Sequence, residues 1–259
     1  MIAEEGGRTP SSPDGGEPGE NRPLLDEEPT PTGGPPMIEM LLPPGVAHAE
    51  AWGDLADAWL YPAEESVVDG AGPERRAEFT TARHLARAAL SHLGVAPAPL
   101  LPGPRRAPDW PTGVVGSITH CAGYRAAVVA RRTSFVTLGV DAEPNAPLPA
   151  NVLRRIATAA ELAQVAELLA VRPEVCWDRL VFSVKEAVHK AWWPLTRQWL
   201  GFHDTDVVLD ADGAAFTTRL RVPGPRTGHR SVRSLHGRWL ARHGMLLTAV
   251  ARPAVPGPG

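Results

Sequence analysis

The hydrophobic positions of the chain predict helices interspersed with short strands. Apolar side chains fall on one side of a helix over Pro73–Leu93, and Gly94 follows as a terminator. The same spacing predicts helices over Asn151–Ala170 and Cys176–Trp193, the second ending at Pro194. Short apolar runs predict strands at Ala126–Ala130, Phe135–Val140, Thr205–Leu209, Phe216–Leu220 and Leu246–Ala251. Helices mixed with short strands, which we expect to be antiparallel, indicate the α+β class and not a doubly wound parallel sheet.

The first 36 residues differ in composition from the rest of the chain. They contain eight prolines and seven glycines and show no apolar periodicity. Such a segment buries too little apolar surface to offset the entropy of ordering it. We therefore predict a disordered acidic tail over residues 1–36, with the folded part beginning near Met37 in the apolar run Met37–Leu42.

The composition is that of a globular protein without a membrane span. Of the 259 residues, 43% are hydrophobic and 21% are charged, and no apolar run approaches the roughly 18–20 residues that cross a bilayer. The N-terminus lacks the basic and then apolar order of a secretory signal. Cys121 and Cys176 have no CxxC spacing, which argues against a zinc site or a disulfide framework. We expect a cytoplasmic protein with reduced thiols.

The net charge of −3 is distributed unevenly. Residues 1–36 carry −6, so the remainder carries +3. A mildly basic folded part suits an anionic partner without requiring one.

Two carboxylates stand two residues apart in the segment Gly139–Pro144. On a strand, Asp141 and Glu143 face the same side and would repel each other. A divalent cation removes that cost, and oxygen ligands suit Mg²⁺. Taken alone, however, the pair is more often a strand end that runs into a turn with solvated acids.

A second charged group lies on the helix predicted at Cys176–Trp193. Glu186 and Lys190 are four residues apart on one face, with Lys185 at its edge. The simple alternative is a surface ion pair worth a few tenths of a kcal/mol. Bulky apolar neighbours favour a cleft instead, which would allow metal binding; they are Val181, Phe182, Trp192 and Trp193.

The third segment, Trp110–Tyr124, combines small residues and hydroxyls that lead to His120. We interpret it as a tight polar loop that wraps a phosphate, although a lone histidine of this kind is more often structural. No Ser-His-Asp spacing or GxSxG elbow accompanies it, so a hydrolase triad is not supported.

Read in order, these segments resemble the 4′-phosphopantetheinyl transferase superfamily, in particular the larger single-chain type that serves siderophore, nonribosomal-peptide and polyketide synthases. The family patterns WPxGxxGSxTHCxGY, GxDxE and FSxKEAxxKAW match Trp110–Tyr124, Gly139–Glu143 and Phe182–Trp192. An upstream arginine-rich helix of the form RxxEFxxARxxARxAL also matches, ending at Leu90. The resemblance covers roughly residues 40–250.

The resemblance implies an enzyme that transfers 4′-phosphopantetheine from coenzyme A to a serine of an apo acyl or peptidyl carrier protein and releases 3′,5′-ADP. Asp141, Glu143 and Glu186 would hold Mg²⁺, with Mn²⁺ as an alternative, on the pyrophosphate. Glu186 would also accept the serine proton. Lys185 and Lys190 would neutralise phosphate oxygens, and Lys190 would stabilise the leaving group.

The resemblance also implies a set of phosphate-binding residues. His120, Arg75 and Arg83 would bind the phosphates of the nucleotide, and Thr119 would add a hydroxyl. Arg105 is a further candidate for the same role.

The family fold implied by the resemblance is a pair of similar α+β halves related by a pseudo-twofold axis, with coenzyme A between them. The halves would cover residues 37–137 and 138–253. The partners would be carrier proteins, which are acidic and suit the basic balance of the folded part, and we expect a monomer that binds neither nucleic acid nor membrane.

Two other functions compete with this one. A Mg²⁺-dependent nuclease or phosphodiesterase could use Asp141, Glu143 and Glu186, but it would need a broad basic surface. An inactive module that keeps the coenzyme A cleft would be expected to have lost a carboxylate or a lysine, and none is lost.

Overall fold

The computed structural model describes residues 34–227 and 230–254. Its helices are α1 (Pro62–Glu65), α2 (Pro73–His92), α3 (Val152–Ile156), α4 (Ala159–Val171) and α5 (Trp177–Thr196). Its strands are β1 (Ala47–Trp52), β2 (Val114–Cys121), β3 (Tyr124–Arg131), β4 (Phe135–Pro144), β5 (Thr205–Asp210), β6 (Ala215–Leu220), β7 (Arg226–Thr227), β8 (Arg230–Ser231), β9 (Ser234–Arg242) and β10 (Met245–Pro253). The α+β class is confirmed. The predicted tail over residues 1–36 lies outside the described residues, except for its last three.

The N-terminal part is a three-stranded antiparallel sheet in the order β1-β3-β2, covered by α2. The apolar side of α2 packs on this sheet, with Leu85 and Ala86 against Ala51 and Ala127. A buried ion pair joins α2 to α1, because Arg87 donates two hydrogen bonds of 2.7 and 2.9 Å to the carboxylate of Glu64. This packing fixes the arginine face of α2 relative to the sheet.

The C-terminal part is a five-stranded antiparallel sheet in the order β4-β10-β9-β6-β5. Helix α5 lies across this sheet and buries its apolar side against it, with a core that includes Val184, Val188, Trp192, Leu235, Trp239, Leu246 and Val250. The opposite side of β4 and β10 meets the N-terminal sheet in a second apolar cluster, which includes Val128, Leu138, Val140 and Leu247. The two sheets therefore share a core, and β4 lies between that core and α5.

Close contact between β4 and α5 depends on Gly139. A Cβ atom there would overlap the carbonyl oxygen of Ala187 and lie 2.7 Å from the nitrogen of Ala191. The missing side chain lets the helix backbone rest directly on the strand. The carboxylates that follow Gly139 are thereby brought next to the charged face of α5.

Two predicted helices end at different places in the structure. The helix expected over Asn151–Ala170 is divided into α3 and α4, because Thr158 starts a new helix with a capping box. The Glu161 carboxylate accepts from the Thr158 amide at 2.7 Å, and the Thr158 hydroxyl accepts from the Glu161 amide at 3.4 Å. Helix α5 continues through Pro194 to Thr196, since a proline in the last turn removes only one backbone hydrogen bond. Among the described residues, no helix is both long and apolar enough to cross a membrane.

The segment before His120 is a strand, and the prediction of a loop was wrong. β2 pairs with β3 along its whole length, from Val114 opposite Arg131 to Cys121 opposite Tyr124. Its small residues reflect close packing: a Cβ atom on Gly116 would lie 2.7 Å from the Trp110 ring. Strands β1 and β9 were also not predicted.

The boundary expected between residues 137 and 138 falls inside β4. This strand, Phe135–Pro144, pairs with β10 along its length and belongs to the second sheet.

Candidate active site

A cleft of about 810 Å³ opens between α2, the loop before β2, and the C-terminal half of α5. Its wall carries six of the predicted site residues: Arg75, Arg83, Arg105, His120, Glu186 and Lys190. The volume is in the range of sites for small organic ligands. Cationic groups dominate this wall, so the cleft suits an anionic ligand.

Asp141 lies behind Lys190, at the base of this wall. Its Oδ1 accepts from Lys190 Nζ at 2.7 Å and from Thr119 Oγ1 at 3.4 Å. Its Oδ2 is buried and has no hydrogen-bond partner among the described residues. Because a buried unpaired carboxylate oxygen is costly, this atom marks a position for a missing donor or cation.

Lys190 connects Asp141 to the cleft. Its ammonium donates to the Val140 carbonyl at 3.0 Å as well as to Asp141, which uses two of its three N–H groups. The side chain remains 29% exposed, so the third group is accessible from the cleft.

Glu143 follows on the same side of β4 and pairs with Arg179 of α5. Arg179 donates to Glu143 Oε2 at 2.9 Å and to the carbonyls of Ala146 and Pro147 at 3.0 and 2.9 Å. Burial and the neighbouring Asp141 raise the pKa of Glu143, while Arg179 acts in the opposite direction. Arg179 thus holds both the carboxylate and the loop after β4.

Glu186 completes a group of three carboxylates. Burial raises its pKa above the ordinary value, Asp141 and Glu143 raise it further, and Lys190 opposes them. A carboxylate in these surroundings is a better proton acceptor than one in water.

The three carboxylates fit a divalent cation in donor chemistry. They supply hard oxygen ligands, and a cation would satisfy the buried Oδ2 of Asp141 and relieve the repulsion that raises the pKa of Glu143 and Glu186. Within residues 34–227 and 230–254, however, no three Asp, Glu, His or Cys side chains stand close enough together to hold a metal as they are. Lys190 and Arg179 each occupy one carboxylate, so these side chains would have to adjust.

On the other side of the cleft, Glu78 links Arg75 and His120. Its carboxylate accepts from Arg75 at 2.6 Å and lies 2.8 Å from His120 Nδ1, while Arg75 lies 3.3 Å from His120 Nε2. Burial lowers the pKa of His120, with Glu78 opposing the shift. The two predicted phosphate ligands thus form one group held by an acid.

Arg83 and Arg105 line the same cleft with different surroundings. Arg83 donates to the Leu100 carbonyl at 2.7 Å, and burial lowers its pKa to about 10, so it stays charged at neutral pH. Arg105 has a backbone φ of 56°, in the left-handed region, and its guanidinium lies 5.1 Å from the ring centre of Trp199 and 5.7 Å from that of Trp193. A strained, cationic residue at a cleft wall is typical of a ligand contact.

The structure does not bring Lys185 and Thr119 to the wall of this cleft. The Lys185 ammonium donates to Glu161 at 3.0 Å and to the carbonyls of Phe202 and Thr205 at 2.6 and 3.1 Å, which uses all three N–H groups. Burial lowers its pKa, and Glu161 opposes the shift. Thr119 is 1% exposed and faces β4.

Three residues of the site were not predicted as such: Glu78, Arg179 and Glu161. Glu78 stands three residues after Arg75 on α2, a spacing that could have suggested its contact with this arginine. Arg179 and Glu161 act through contacts 36 and 24 residues away along the chain, to Glu143 and Lys185, which no local pattern indicates.

Comparison with known proteins finds matches over most of the chain. The family profile described as "4'-phosphopantetheinyl transferase N-terminal domain" matches residues 63–130, and that of the "4'-phosphopantetheinyl transferase superfamily" matches residues 137–242. The 4'-phosphopantetheinyl transferase Svp of Streptomyces mobaraensis is 49% identical over 85% of this chain and 91% of its own length. The chain belongs to the 4′-phosphopantetheinyl transferase superfamily.

Two further relatives in this superfamily cover most of the chain. The 4'-phosphopantetheinyl transferase Npt of Nocardia iowensis is 44% identical over 83% of this chain and 99% of its own length. The 4'-phosphopantetheinyl transferase PptT of Mycobacterium tuberculosis is 40% identical over 83% of this chain and 97% of its own length. The prediction of an enzyme of this superfamily is confirmed. The roles of individual residues remain predictions.

Proposed function

We propose that the protein transfers the 4′-phosphopantetheinyl group of coenzyme A to a serine hydroxyl of an apo carrier protein. The observation that carries this proposal is Lys190, which joins the cationic cleft to the buried carboxylate of Asp141. A ligand with a nucleotide phosphate at one end and a pyrophosphate at the other would contact both groups. The superfamily supports the group transferred, and the cleft supports an anionic donor.

The cationic wall would bind the phosphates of coenzyme A. Arg75 and His120 are linked by Glu78, so phosphate oxygens would compete with this carboxylate for their N–H groups. Arg83 keeps its charge at neutral pH and adds to the same wall. Phosphoryl transfer depends on such positioning and charge neutralisation more than on covalent chemistry.

In the transfer step, the serine oxygen would form a bond to the pyrophosphate phosphorus that carries the pantetheine arm. The bond from that phosphorus to the bridging oxygen breaks, and 3′,5′-ADP leaves with the bridging oxygen. Glu186 would take the serine proton, directly or through water. Lys190 would turn its ammonium towards the leaving phosphate.

Asp141, Glu143 and Glu186 would hold Mg²⁺ or Mn²⁺, which would neutralise charge on the pyrophosphate. Lys190 and Arg179 neutralise two of these carboxylates in the structure. With Asp141 held as a ligand of the cation, Lys190 would be available to a phosphate oxygen.

The carrier would be an acyl or peptidyl carrier protein of a nonribosomal-peptide, polyketide or siderophore pathway, and the reaction would take place in the cytoplasm. The +3 balance of residues 37–259 suits an acidic carrier.

Intact-mass spectrometry of the carrier tests the proposal. The protein is incubated with coenzyme A, Mg²⁺ and apo carriers from fatty-acid, peptide and polyketide systems, and we expect one carrier to gain a single phosphopantetheinyl group. Glu186→Ala and an EDTA control should abolish the gain, whereas Glu167→Ala, on the exposed side of α4, should not. If no carrier gains mass although the protein binds coenzyme A, the chain is an inactive module.

A further inference from the structure

Strands β2 and β4 lie side by side but belong to different sheets. Two hydroxyls of β2 take the place of a backbone ladder. The Val140 amide donates to Ser117 Oγ at 3.0 Å, and the Ala142 amide donates to Thr119 Oγ1 at 2.9 Å. Ser117 and Thr119 are two residues apart, and so are Val140 and Ala142. The spacing of the two hydroxyls on β2 therefore matches the spacing of the two amides on β4.

The two hydroxyls differ in one respect, because only Thr119 also contacts Asp141. The residue whose amide it holds, Ala142, follows Asp141 directly. Since a lone pair of Thr119 Oγ1 accepts from this amide, the hydroxyl proton is free to be donated to Asp141 Oδ1 at 3.4 Å. Thr119 therefore restrains both the backbone and the side chain at this position.

Asp141 needs such a restraint because its Oδ2 lacks a partner in the described part of the chain. A buried carboxylate relieves that cost by rotating its free oxygen towards a donor unless its other oxygen is held. Lys190 and Thr119 hold Oδ1 together in this structure. When Lys190 turns to a phosphate, as the proposed function requires, Thr119 is the remaining side-chain donor on Asp141 that this structure shows.

We propose that Thr119 is a positioning residue that keeps Asp141 oriented to bind the divalent cation. This inference rests on the proposed function. It gives Thr119 a different role from the nucleotide contact that the family resemblance implies, which its 1% exposure does not favour. The partner of a metal-bound carboxylate commonly sets metal affinity by fixing the orientation of that ligand.

Ser117 provides a matched control. It is 4% exposed, lies on the same side of β2, and accepts from a β4 amide in the same way, but it makes no hydrogen bond to Asp141. Ser117→Ala and Thr119→Val each remove one hydroxyl from the junction of the sheets. Both should lower the melting temperature, and only the second should affect the cation.

The measurement is the affinity of the full chain for Mn²⁺, with free Mn²⁺ detected by electron paramagnetic resonance, in the presence and absence of coenzyme A. Thr119→Val should raise the Kd for Mn²⁺ by about 10–100-fold, the usual effect of losing the partner of a metal ligand. Thr119→Ser, which keeps the hydroxyl, should restore the affinity, and Ser117→Ala should leave it unchanged. In kinetics, Thr119→Val should raise the Mg²⁺ concentration needed for half-maximal rate without changing KM for coenzyme A.

Equal Mn²⁺ affinities for Thr119→Val and Ser117→Ala would overturn the inference and leave the proposed function standing. A rise in KM for coenzyme A alone would also overturn it, in favour of a nucleotide contact. A wild-type protein that binds no Mn²⁺ under either condition would refute the metal in the proposed function and the inference with it. Thr119→Ala replaces the valine variant if circular dichroism shows that the latter does not fold.

Discussion

Glu186 shows how the site opposes the stability of the fold. Its pKa is raised by burial and by the charges of Asp141 and Glu143. The folded protein therefore binds the Glu186 proton more tightly than the unfolded chain does. Stability is lost as pH rises from 4.5, the ordinary pKa of a glutamate side chain, through the raised value of the folded state. Above that pKa, the charged carboxylate of Glu186 lowers the stability of the folded protein.

Replacing this carboxylate by a neutral amide should thus stabilise the protein while it abolishes transfer. We expect Glu186→Gln to raise the melting temperature at pH 7–8 in EDTA by a few degrees, since about 1 kcal/mol corresponds to about 2–4 °C in a domain of this size. The difference from wild type should shrink as the pH falls towards 4.5. Melting curves across this range test the prediction, with Glu167→Gln as an exposed control. A gain that does not depend on pH, or a loss at pH 8, would contradict it.

Neighbouring residues in the site show what periodicity alone could decide. Lys185 and Glu186 are adjacent on a helix and cannot share a face, and Thr119 and His120 are adjacent on a strand and point to opposite sides. In each pair one member lies in the cleft wall and the other is buried behind it. The resemblance assigned all four residues as ligands, because a match to a motif does not show which way each side chain points. That Asp141 and Glu143 lie on the same side of β4 was predictable for the same geometric reason, because they are two residues apart.

At the level of elements, the contact of α5 with β4 holds the two halves of the site together. Glu186 and Lys190 are on α5, and Asp141 and Glu143 are on β4. The distance between these groups is set where Gly139 lets the helix backbone touch the strand. Any side chain at residue 139 would separate the lysine from the aspartate that it contacts at 2.7 Å.

Gly139→Ala should therefore reduce both stability and activity. Its Cβ would meet backbone atoms of Ala187 and Ala191, which cannot move aside as a flexible side chain could. Overpacking of this kind costs about 1–3 kcal/mol, and we expect a loss of this size or more in urea unfolding. Transfer activity should fall further than the loss of folded protein explains. Gly72→Ala is the control, because nothing lies within 4 Å of a Cβ atom there; equal effects of the two changes would contradict this role for Gly139.

The elements that the sequence predicts best are the two long helices, in which the apolar spacing repeats over several turns. Helices α2 and α5 each have 20 residues, and their apolar stripes determine their bounds to within a few positions. Strand β2 was missed because Gly116 and Ser117, which usually mark loops, are required here by close packing and by the hydroxyl contacts with β4. The division between α3 and α4 depends on one capping threonine, Thr158, inside an otherwise helical pattern.

Across the whole molecule, side chains accept hydrogen bonds from strand amides at the two edges of the five-stranded sheet, where no further strand is present in that sheet. At one edge, the hydroxyls of Ser117 and Thr119 accept from amides of β4. At the other, Glu161 and Gln164 of α4 accept from the amides of Val207 and Leu209 on β5, at 2.7 and 3.0 Å. An open strand edge invites pairing with other chains, and at each edge these side chains occupy two of the amides. Glu161 also pairs with Lys185, so this one buried acid contacts both the edge strand β5 and helix α5.

The start of the described chain is tied to the N-terminal sheet through Glu50 of β1. The carboxylate of Glu50 accepts from the amides of Met37 and Ile38 at 2.8 and 3.1 Å, and also from the Tyr124 hydroxyl. Met37, Ile38 and Leu41 are buried in the cluster between the two sheets. The fold thus includes this short segment, although it contains no long helix or strand.

Truncation on either side of this segment should therefore have opposite outcomes. A variant that begins at Met37 keeps these buried side chains, and its new terminal ammonium falls where the Met37 amide already meets Glu50, so we expect it to fold and to transfer normally. A variant that begins at Pro43 loses Met37, Ile38 and Leu41, and each buried apolar side chain of this size is worth about 1.5–3 kcal/mol. It should unfold at a much lower temperature and lose activity. Melting curves and carrier mass spectra of both variants make the comparison. Loss of transfer in a folded variant that begins at Met37 would show instead that residues 1–36 take part in the reaction, because the cleft and the carboxylates are intact in that variant.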